Sequence, residues 1–202
     1  MALFDWISDA AGPVVDGDGV RLRPPRATDY AQWEALRRAS QDYLRPWEPT
    51  WPEDDLSRAA FRRRMGVYAR EMEQGTAWPF FIFEAGEDER LLGAVTLSNI
   101  RRGVAETGTL GYWIGQSVAG RGHATAAVRA VVDFGFQEAR LHRIEAACLP
   151  TNLPSRRVLE KAGFRHEGLA RAYLKINGAW ADHLLFGLLS DEVGQGPGAP
   201  PS

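Results

Sequence analysis

Gly111-Tyr-Trp-Ile-Gly-Gln-Ser-Val-Ala-Gly-Arg-Gly-His-Ala-Thr125 decides how this chain is read. The β-formers over residues 109–114 predict a strand. Glycines follow, and then a helical pattern. Ala124, Ala127, Val128, Val131, Val132 and Gly135 recur at the spacing of one buried helix face. A strand that turns through glycines into a helix presents unpaired backbone N–H groups to whatever lies in front of the turn. Those amides and the helix dipole favour negative charge, and glycine lets the backbone come close. The turn therefore reads as the seat of a phosphate-bearing ligand. Taken alone, it also fits a plain strand–helix connection. Two familiar phosphate loops do not fit. A Walker loop needs Lys-Ser or Lys-Thr after its last glycine, and a dinucleotide fingerprint needs glycine where Thr125 stands.

A second segment narrows the ligand. Residues 142–147 predict another strand. Cys148-Leu-Pro-Thr-Asn152-Leu-Pro-Ser155-Arg-Arg-Val-Leu-Glu-Lys-Ala-Gly163-Phe164 follows it. This predicts a short helix with Asn152 or Thr151 as N-cap, Pro154 in the first turn and Gly163 as the stop. Val158, Leu159 and Ala162 form its buried stripe.

Ala119-Gly-Arg-Gly-His-Ala124 resembles the Q/R-x-x-G-x-G/A acetyl-CoA loop of the GNAT acetyltransferase superfamily. Asn152-x-x-Ser155, followed by Leu159-x-x-x-Gly163-Phe164, resembles its second cofactor motif. The likeness spans roughly residues 19–190. It is nearest to the RimJ/RimL type, the ribosomal-protein N-terminal acetyltransferases. Val20-Arg-Leu-Arg-Pro24, Leu44-Arg-Pro-Trp-Glu-Pro49, Leu110-Gly-Tyr-Trp-Ile114 and Gly178-Ala-Trp-Ala-Asp-His183 carry it there. The resemblance implies an α+β, α/β/α-layered GNAT fold, with a mixed, mostly antiparallel sheet of about seven strands flanked by about four helices. It implies acetyl-CoA as co-substrate. Gly120, Arg121, Gly122, His123, Ala124 and Thr125 would hold its phosphates, and the backbone of Trp113 and Ile114 its pantetheine. Asn152, Ser155 and Arg156 would add contacts from the second motif. The first loop position, Gln or Arg in relatives, is Ala119 here. The amides remain, and Arg121 and Arg156 are the charges at hand to replace the lost side chain.

The implied reaction is attack of an amine on a thioester. The amine must be neutral, the oxyanion stabilised and the leaving thiolate protonated. Many relatives place a Tyr seven residues after the motif Asn for the last task, and here that residue is Leu159. Ser155, at the start of the same helix, is the substitute that the RimL-type resemblance implies. Its other reading is a helix cap. Candidate bases are Glu48 and Glu106, with His183, His123 or a water chain as alternatives. Tyr43, Trp47 and Trp51 surround Glu48 in sequence. They read as the frame for a peptide N-terminus whose ammonium pairs with Glu48 before losing its proton. They also read as a cover over the open end of the core. No His/Cys/Asp cluster has metal-ligand spacing, so no metal is expected. Cys148 lacks the adjacent base that an acyl-cysteine route would want. Arg62-Arg-Arg64 reads as a solvated helix face, balanced by Glu53, Asp54 and Asp55.

The rest of the sequence bounds the answer. With 202 residues, 45% of them hydrophobic, the chain can bury one sizeable core. A net charge of −2 gives no global basic field, so no nucleic-acid partner is expected. The single cysteine suits a reducing compartment. No apolar run approaches the ~20 residues of a membrane span, and no signal-peptide pattern opens the chain, so no membrane partner and a cytoplasmic location are expected. One domain is expected over residues 19–190. A lead-in, 1–18, precedes it, with Phe4, Trp6 and Ile7 packed down. A Gly/Pro-rich tail, 191–202, follows it and should be disordered. Within the domain the pattern predicts a strand at 19–23, a helix at 28–40 capped by Thr28 and a Pro/Trp-rich loop at 41–55. A helix at 56–74 and strands at 79–85 and 91–99, joined by loop 86–90, come next. Strands at 166–175 and 179–189, joined by a turn at Asn177-Gly178, close it.

The expected activity is transfer of acetyl from acetyl-CoA to an amine. The N-terminal α-amine of a protein, by resemblance a ribosomal one, is the leading acceptor, and the enzyme is a monomer or homodimer. Two rivals stand beside it. A small-molecule acetyltransferase acting on an antibiotic, polyamine or amino acid would show a closed acidic pocket. A non-catalytic acyl-CoA sensor is compatible with Ala119 and the missing Tyr.

Overall fold

The computed structural model describes residues 12–86 and 89–193. Strand β1 (Val15–Gly17) turns through Gly19 into β2 (Val20–Arg23). A 3₁₀ turn (Ala27–Asp29) leads into α1 (Tyr30–Ala39), the four-residue α2 (Gln41–Leu44) and the long α3 (Arg58–Glu73). Then come β3 (Trp78–Glu84), β4 (Leu91–Arg101), β5 (Thr107–Ile114), α4 (His123–Gln137), β6 (Arg143–Cys148), α5 (Leu153–Lys161), β7 (Arg165–Ile176) and β8 (Ala179–Leu189). The strands form one sheet in the order β1-β2-β3-β4-β5-β6-β8-β7. Every neighbouring pair is antiparallel except β5–β6. Among the described residues this makes eight strands and five α-helices, against about seven and four expected. The additional strand is β1, formed by residues assigned to the lead-in. The additional helix is α2, inside the stretch expected to be a loop.

The sheet separates two apolar layers. Val95, Leu97, Val128, Val131, Leu159 and Phe186 belong to the larger, packed under α4 and α5. Trp33, Phe61, Phe81, Phe83 and Leu91 form the smaller, under α1 and α3. Strand β3 is buried on both faces from Pro79 to Phe83, as a strand between two helical layers must be. Gly135 belongs to the buried stripe of α4 for a steric reason. A Cβ there would stand 2.7 Å from Ile144 Cδ1 and 3.2 Å from Leu97 Cδ2.

Several boundaries differ from the pattern, and side-chain hydrogen bonds accompany each difference. Thr28 does not cap α1, which starts after the 3₁₀ turn. Asp29 is buried instead, accepting from Arg23 at 2.9 and 2.8 Å and from the Arg26 N–H at 2.7 Å. Helix α3 starts at Arg58 because Ser57 Oγ accepts from the Ala60 N–H at 3.1 Å. Residues 191–193 are a turn, with Glu192 accepting from the Leu189 N–H and pairing with Arg165, both at 3.1 Å. Phe4, Trp6, Ile7, residues 87–88 and the tail from 194 lie outside the described residues. No helix among the described residues is long and apolar enough to cross a membrane.

The β5–β6 pair positions the site. Their register runs only from Thr107↔Arg143 to Leu110↔Ala146. Beyond it β5 continues to Ile114 along β4, while β6 continues to Cys148 along β8. The two strands part and leave a V-shaped notch.

Candidate functional site

The notch exposes a strand edge. Gly115 N–H donates to the Leu92 carbonyl at 2.8 Å. Strand alternation then turns the backbone groups of Trp113 toward β4 and those of Tyr112 and Ile114 into the notch. Trp113 was expected to offer its backbone to pantetheine. Its backbone is engaged on the β4 side, and its ring packs on the α1 side of the sheet.

Past the notch the chain turns through two glycines into α4. Gly120 and Gly122 sit at φ +77° and +93°, where an L side chain is strained. No atom lies within 4 Å of a Cβ built on either, so the space before them is open. Gly122 is the N-cap of the 15-residue α4 and has no side-chain oxygen to give. The first-turn amides of His123, Ala124 and Thr125 have no intrahelical acceptor, and the helix dipole reinforces them. Ala119 brings no charge. Arg121 is exposed beside the glycines, whereas Arg156 gives its Nε–H to Glu160 at 2.7 Å.

The start of α5 forms the opposite lip. Asn152 is its cap, with Oδ1 accepting from the Ser155 N–H at 3.1 Å. Ser155 is thereby released from capping. Its Oγ lies 2.9 Å from the phenol oxygen of Tyr112, which reaches over from β5 and also stands 3.1 Å from the Ser155 carbonyl. Burial pushes the phenol well above its ordinary range, so it is a neutral O–H group. Cys148, at the end of β6, is also raised by burial, partly opposed by a hydrogen bond with the Ser155 hydroxyl. It is held as a thiol rather than as the nucleophilic thiolate. Leu159 is fully buried.

On the other face of β5 lies a cavity of about 410 Å³, whose walls include Trp33, Trp51, Trp113 and Tyr68. Gly111 and Tyr112 also line it, so the cavity and the notch meet at the same two residues. Arg37 organises one wall. It is only 7% exposed, grips both oxygens of Glu48 at 2.8 Å, and lies over the rings of Trp51 at 3.9 Å and Trp113 at 4.8 Å. Trp51 Nε1 donates to Glu48 Oε2 at 2.7 Å, which leaves spare acceptor capacity on Oε1. In the same wall Asp55 pairs with Arg64 at 2.9 Å. The β7–β8 turn is tied to this segment by the Asn177 N–H, which donates to the Glu48 carbonyl at 3.0 Å. The end of α1 is tied to the segment after β5 by Gln116 N–H to Ser40 Oγ, 3.0 Å.

Not every expected residue comes to this place. Glu48 and Trp51 line the cavity, while Tyr43 and Trp47 do not; Trp33 and Trp113 stand there instead. Arg64 faces the cavity rather than solvent alone, and its guanidinium lies 5.1 Å from the Trp33 ring. Glu106 precedes β5 at the end far from the notch and pairs with Arg102 at 3.1 Å. His183 is buried, with Nδ1 3.0 Å from the Ala181 carbonyl, and is absent from the cavity lining. His123 opens α4. Among the described residues no group of three His, Cys, Asp or Glu is placed to hold a metal ion. Tyr112 went unread in the sequence, although a signal existed. The alternation that sends Leu110 into the α4 layer sends Tyr112 to the same face, one step into the notch.

Known proteins are similar to this chain in sequence and fold. Residues 20–165 match the family described as acetyltransferase (GNAT) domain. The chain is 38% identical over 179 residues to the probable N-acetyltransferase YjcK of Bacillus subtilis, covering 89% of this chain and 98% of that protein. It is 34% identical over 153 residues to the ribosomal protein uS5-alanine N-acetyltransferase of Escherichia coli, covering 76% and 78%. RimJ of Mycobacterium smegmatis, solved in complex with CoA-disulfide, superposes with a TM-score of 0.83 at 37% identity, over 91% of this chain and 89% of that one. A chain that carries this domain over most of its length and folds as RimJ does belongs to the GNAT acetyltransferase family, in its RimJ/RimL-like branch, and is an acetyl-CoA-dependent N-acyltransferase.

Proposed function

We propose that the enzyme acetylates the N-terminal α-amine of a protein, a ribosomal protein being the leading candidate, by direct attack in a ternary complex. One observation carries the acceptor reading: the charges in the cavity wall cancel. Glu48 is neutralised by Arg37 and Asp55 by Arg64. A polyamine or aminoglycoside would want uncompensated negative charge. A neutral, aromatic-walled cavity with one carboxylate lone pair to spare suits a single ammonium on an uncharged backbone. The E. coli relative is named for a ribosomal-protein alanine, which supports the same class.

Acetyl-CoA supplies an acetyl group activated as a thioester. Gly120, Arg121, Gly122, His123, Ala124 and Thr125 would hold its phosphates. The backbone of Tyr112 and Ile114 would pair with its pantetheine arm as a partner strand would. Glu48 Oε1 would accept a hydrogen bond from the incoming ammonium, whose surplus proton passes to water. As the amine nitrogen bonds to the acetyl carbon and the C–S bond breaks, nitrogen gives up a proton to water, sulfur gains one, and water restores the proton of the group that supplied it. Ser155 is the donor to sulfur.

A CoA-release assay over N-terminal peptides, polyamines and aminoglycosides tests the acceptor. Peptides beginning with a small residue should have the highest kcat/KM. Faster turnover of a polyamine or aminoglycoside would overturn the reading.

Glu48→Gln should raise the KM for the peptide while leaving acetyl-CoA affinity near wild type. It should also cost up to about 3 kcal/mol of stability, the low end for breaking a buried pair, because Glu48 is partly exposed. An unchanged peptide KM would remove Glu48 from acceptor binding.

Cys148→Ala should keep kcat close to wild type. Lost turnover, together with an acetylated wild-type Cys148 in mass spectra, would replace direct attack by an acyl-enzyme route.

A further inference from the structure

We infer that Tyr112 is the positioning residue that aims the Ser155 proton at the thioester sulfur. It restores from strand β5 the phenol that Leu159 removes from α5. The inference rests on the reading of Ser155 as donor and adds a partner to it. The Tyr112 oxygen stands 2.9 Å from Ser155 Oγ and 3.1 Å from the Ser155 carbonyl. The phenol has one proton and two acceptors within reach, so the pair has two hydrogen-bond directions. In one, the phenol donates to the carbonyl, and the Ser155 hydroxyl donates to the phenol and is spent. In the other, the phenol donates to Ser155 Oγ, and the serine proton is turned outward. A negative charge growing on sulfur favours the second direction, since only that one puts a donor in front of it. A hydroxyl that accepts a hydrogen bond is also a stronger donor, because chained hydrogen bonds polarise one another.

The placement fits such a task. Tyr112 spans the notch at the point where β5 and β6 have parted, and Asn152 already caps α5, which leaves Ser155 Oγ to Tyr112 and Cys148. No proton need leave the phenol. Sulfur takes the serine proton, the serine oxygen is resupplied from water, and Tyr112 stays neutral throughout, consistent with its burial.

Tyr112→Phe tests this, since the ring and its packing remain. The kcat should fall about 5- to 100-fold, the range that a lost buried hydrogen bond gives, with acetyl-CoA affinity unchanged. The shape of the kcat–pH profile should stay the same up to about pH 10, because the phenol is not the titrating acid. The double variant, with both Tyr112→Phe and Ser155→Ala, should be no slower than Ser155→Ala alone. The loss should be the same factor for two acceptors of different class, which separates it from any error about the acceptor. Wild-type kcat in Tyr112→Phe, with Ser155→Ala strongly impaired, would overturn the inference alone. A silent Ser155→Ala would overturn the donor reading on which it rests. Multiplicative losses in the double variant would make Tyr112 a structural bridge.

Discussion

Gly122→Val is expected to weaken acetyl-CoA binding by roughly 10- to 150-fold, the equivalent of one charge-assisted hydrogen bond lost at about 1.5–3 kcal/mol. Two effects act together. Gly122 has φ +93°, a conformation that costs an L residue about 1–2 kcal/mol and a β-branched one more. The amides of the α4 N-terminus would rotate to relieve that strain. The space ahead of the glycine, empty of protein atoms to 4 Å, would also fill with methyl groups where the phosphates are proposed to lie. Gly122→Ala separates the two, since it carries most of the backbone strain and little of the bulk. Calorimetric titration with acetyl-CoA, alongside a melting curve for each variant, measures both. Full affinity in a folded Gly122→Val would remove this turn from the cofactor site. Nearby Gly93 makes a useful contrast. A Cβ there would stand 2.2 Å from the Trp113 carbonyl oxygen, so its substitution should damage the β4–β5 pairing itself.

The parts of the molecule legible in the sequence are those written in local periodicity. The β5–turn–α4 unit, the Asn152 cap and the Asn177-Gly178 hairpin each depend on residues within a few positions of one another. Their physics is steric and capping chemistry that any pattern reading can weigh. The site itself depends on pairings that periodicity does not encode. Tyr112 meets Ser155 across 43 positions, and Gln116 meets Ser40 across 76. Glu48 shows the consequence. Its position among aromatic residues made it a candidate base, and Trp51 does touch it. Its main partner is nevertheless Arg37, from α1, which on helical periodicity alone is one more charged residue. That partner changes the chemistry on offer, from a free carboxylate to a neutralised pair with one open lone pair. Arg64 and Asp55 repeat the lesson. In the sequence they belong to a charge run, and in the fold they form a second neutral pair in the same wall. The neutrality on which the acceptor reading rests is thus a property of pairs, invisible in any one residue.

Ser155→Ala is expected to lower kcat by roughly 10- to 10⁴-fold, the upper end being the typical contribution of a positioned general acid. Acetyl-CoA affinity should change by no more than about fivefold, since one neutral hydrogen bond is worth about 1 kcal/mol. In the sequence, Ser155 carried a second reading as a helix cap, which predicts the opposite pattern of lost stability with intact turnover. The geometry separates these roles between two residues. Asn152 Oδ1 takes the Ser155 N–H, while Ser155 Oγ faces Tyr112 and Cys148. Asn152→Ala should therefore cost about 0.5–2 kcal/mol of stability, as lost caps do. Ser155→Ala should cost only about 1 kcal/mol, for its bond to the phenol. Measuring melting temperature, acetyl-CoA affinity and kcat on the two variants side by side makes each the control for the other. A Ser155→Ala enzyme that binds acetyl-CoA and turns over at the wild-type rate would end its role as donor. Protonation of the thiolate would then fall to water in the notch.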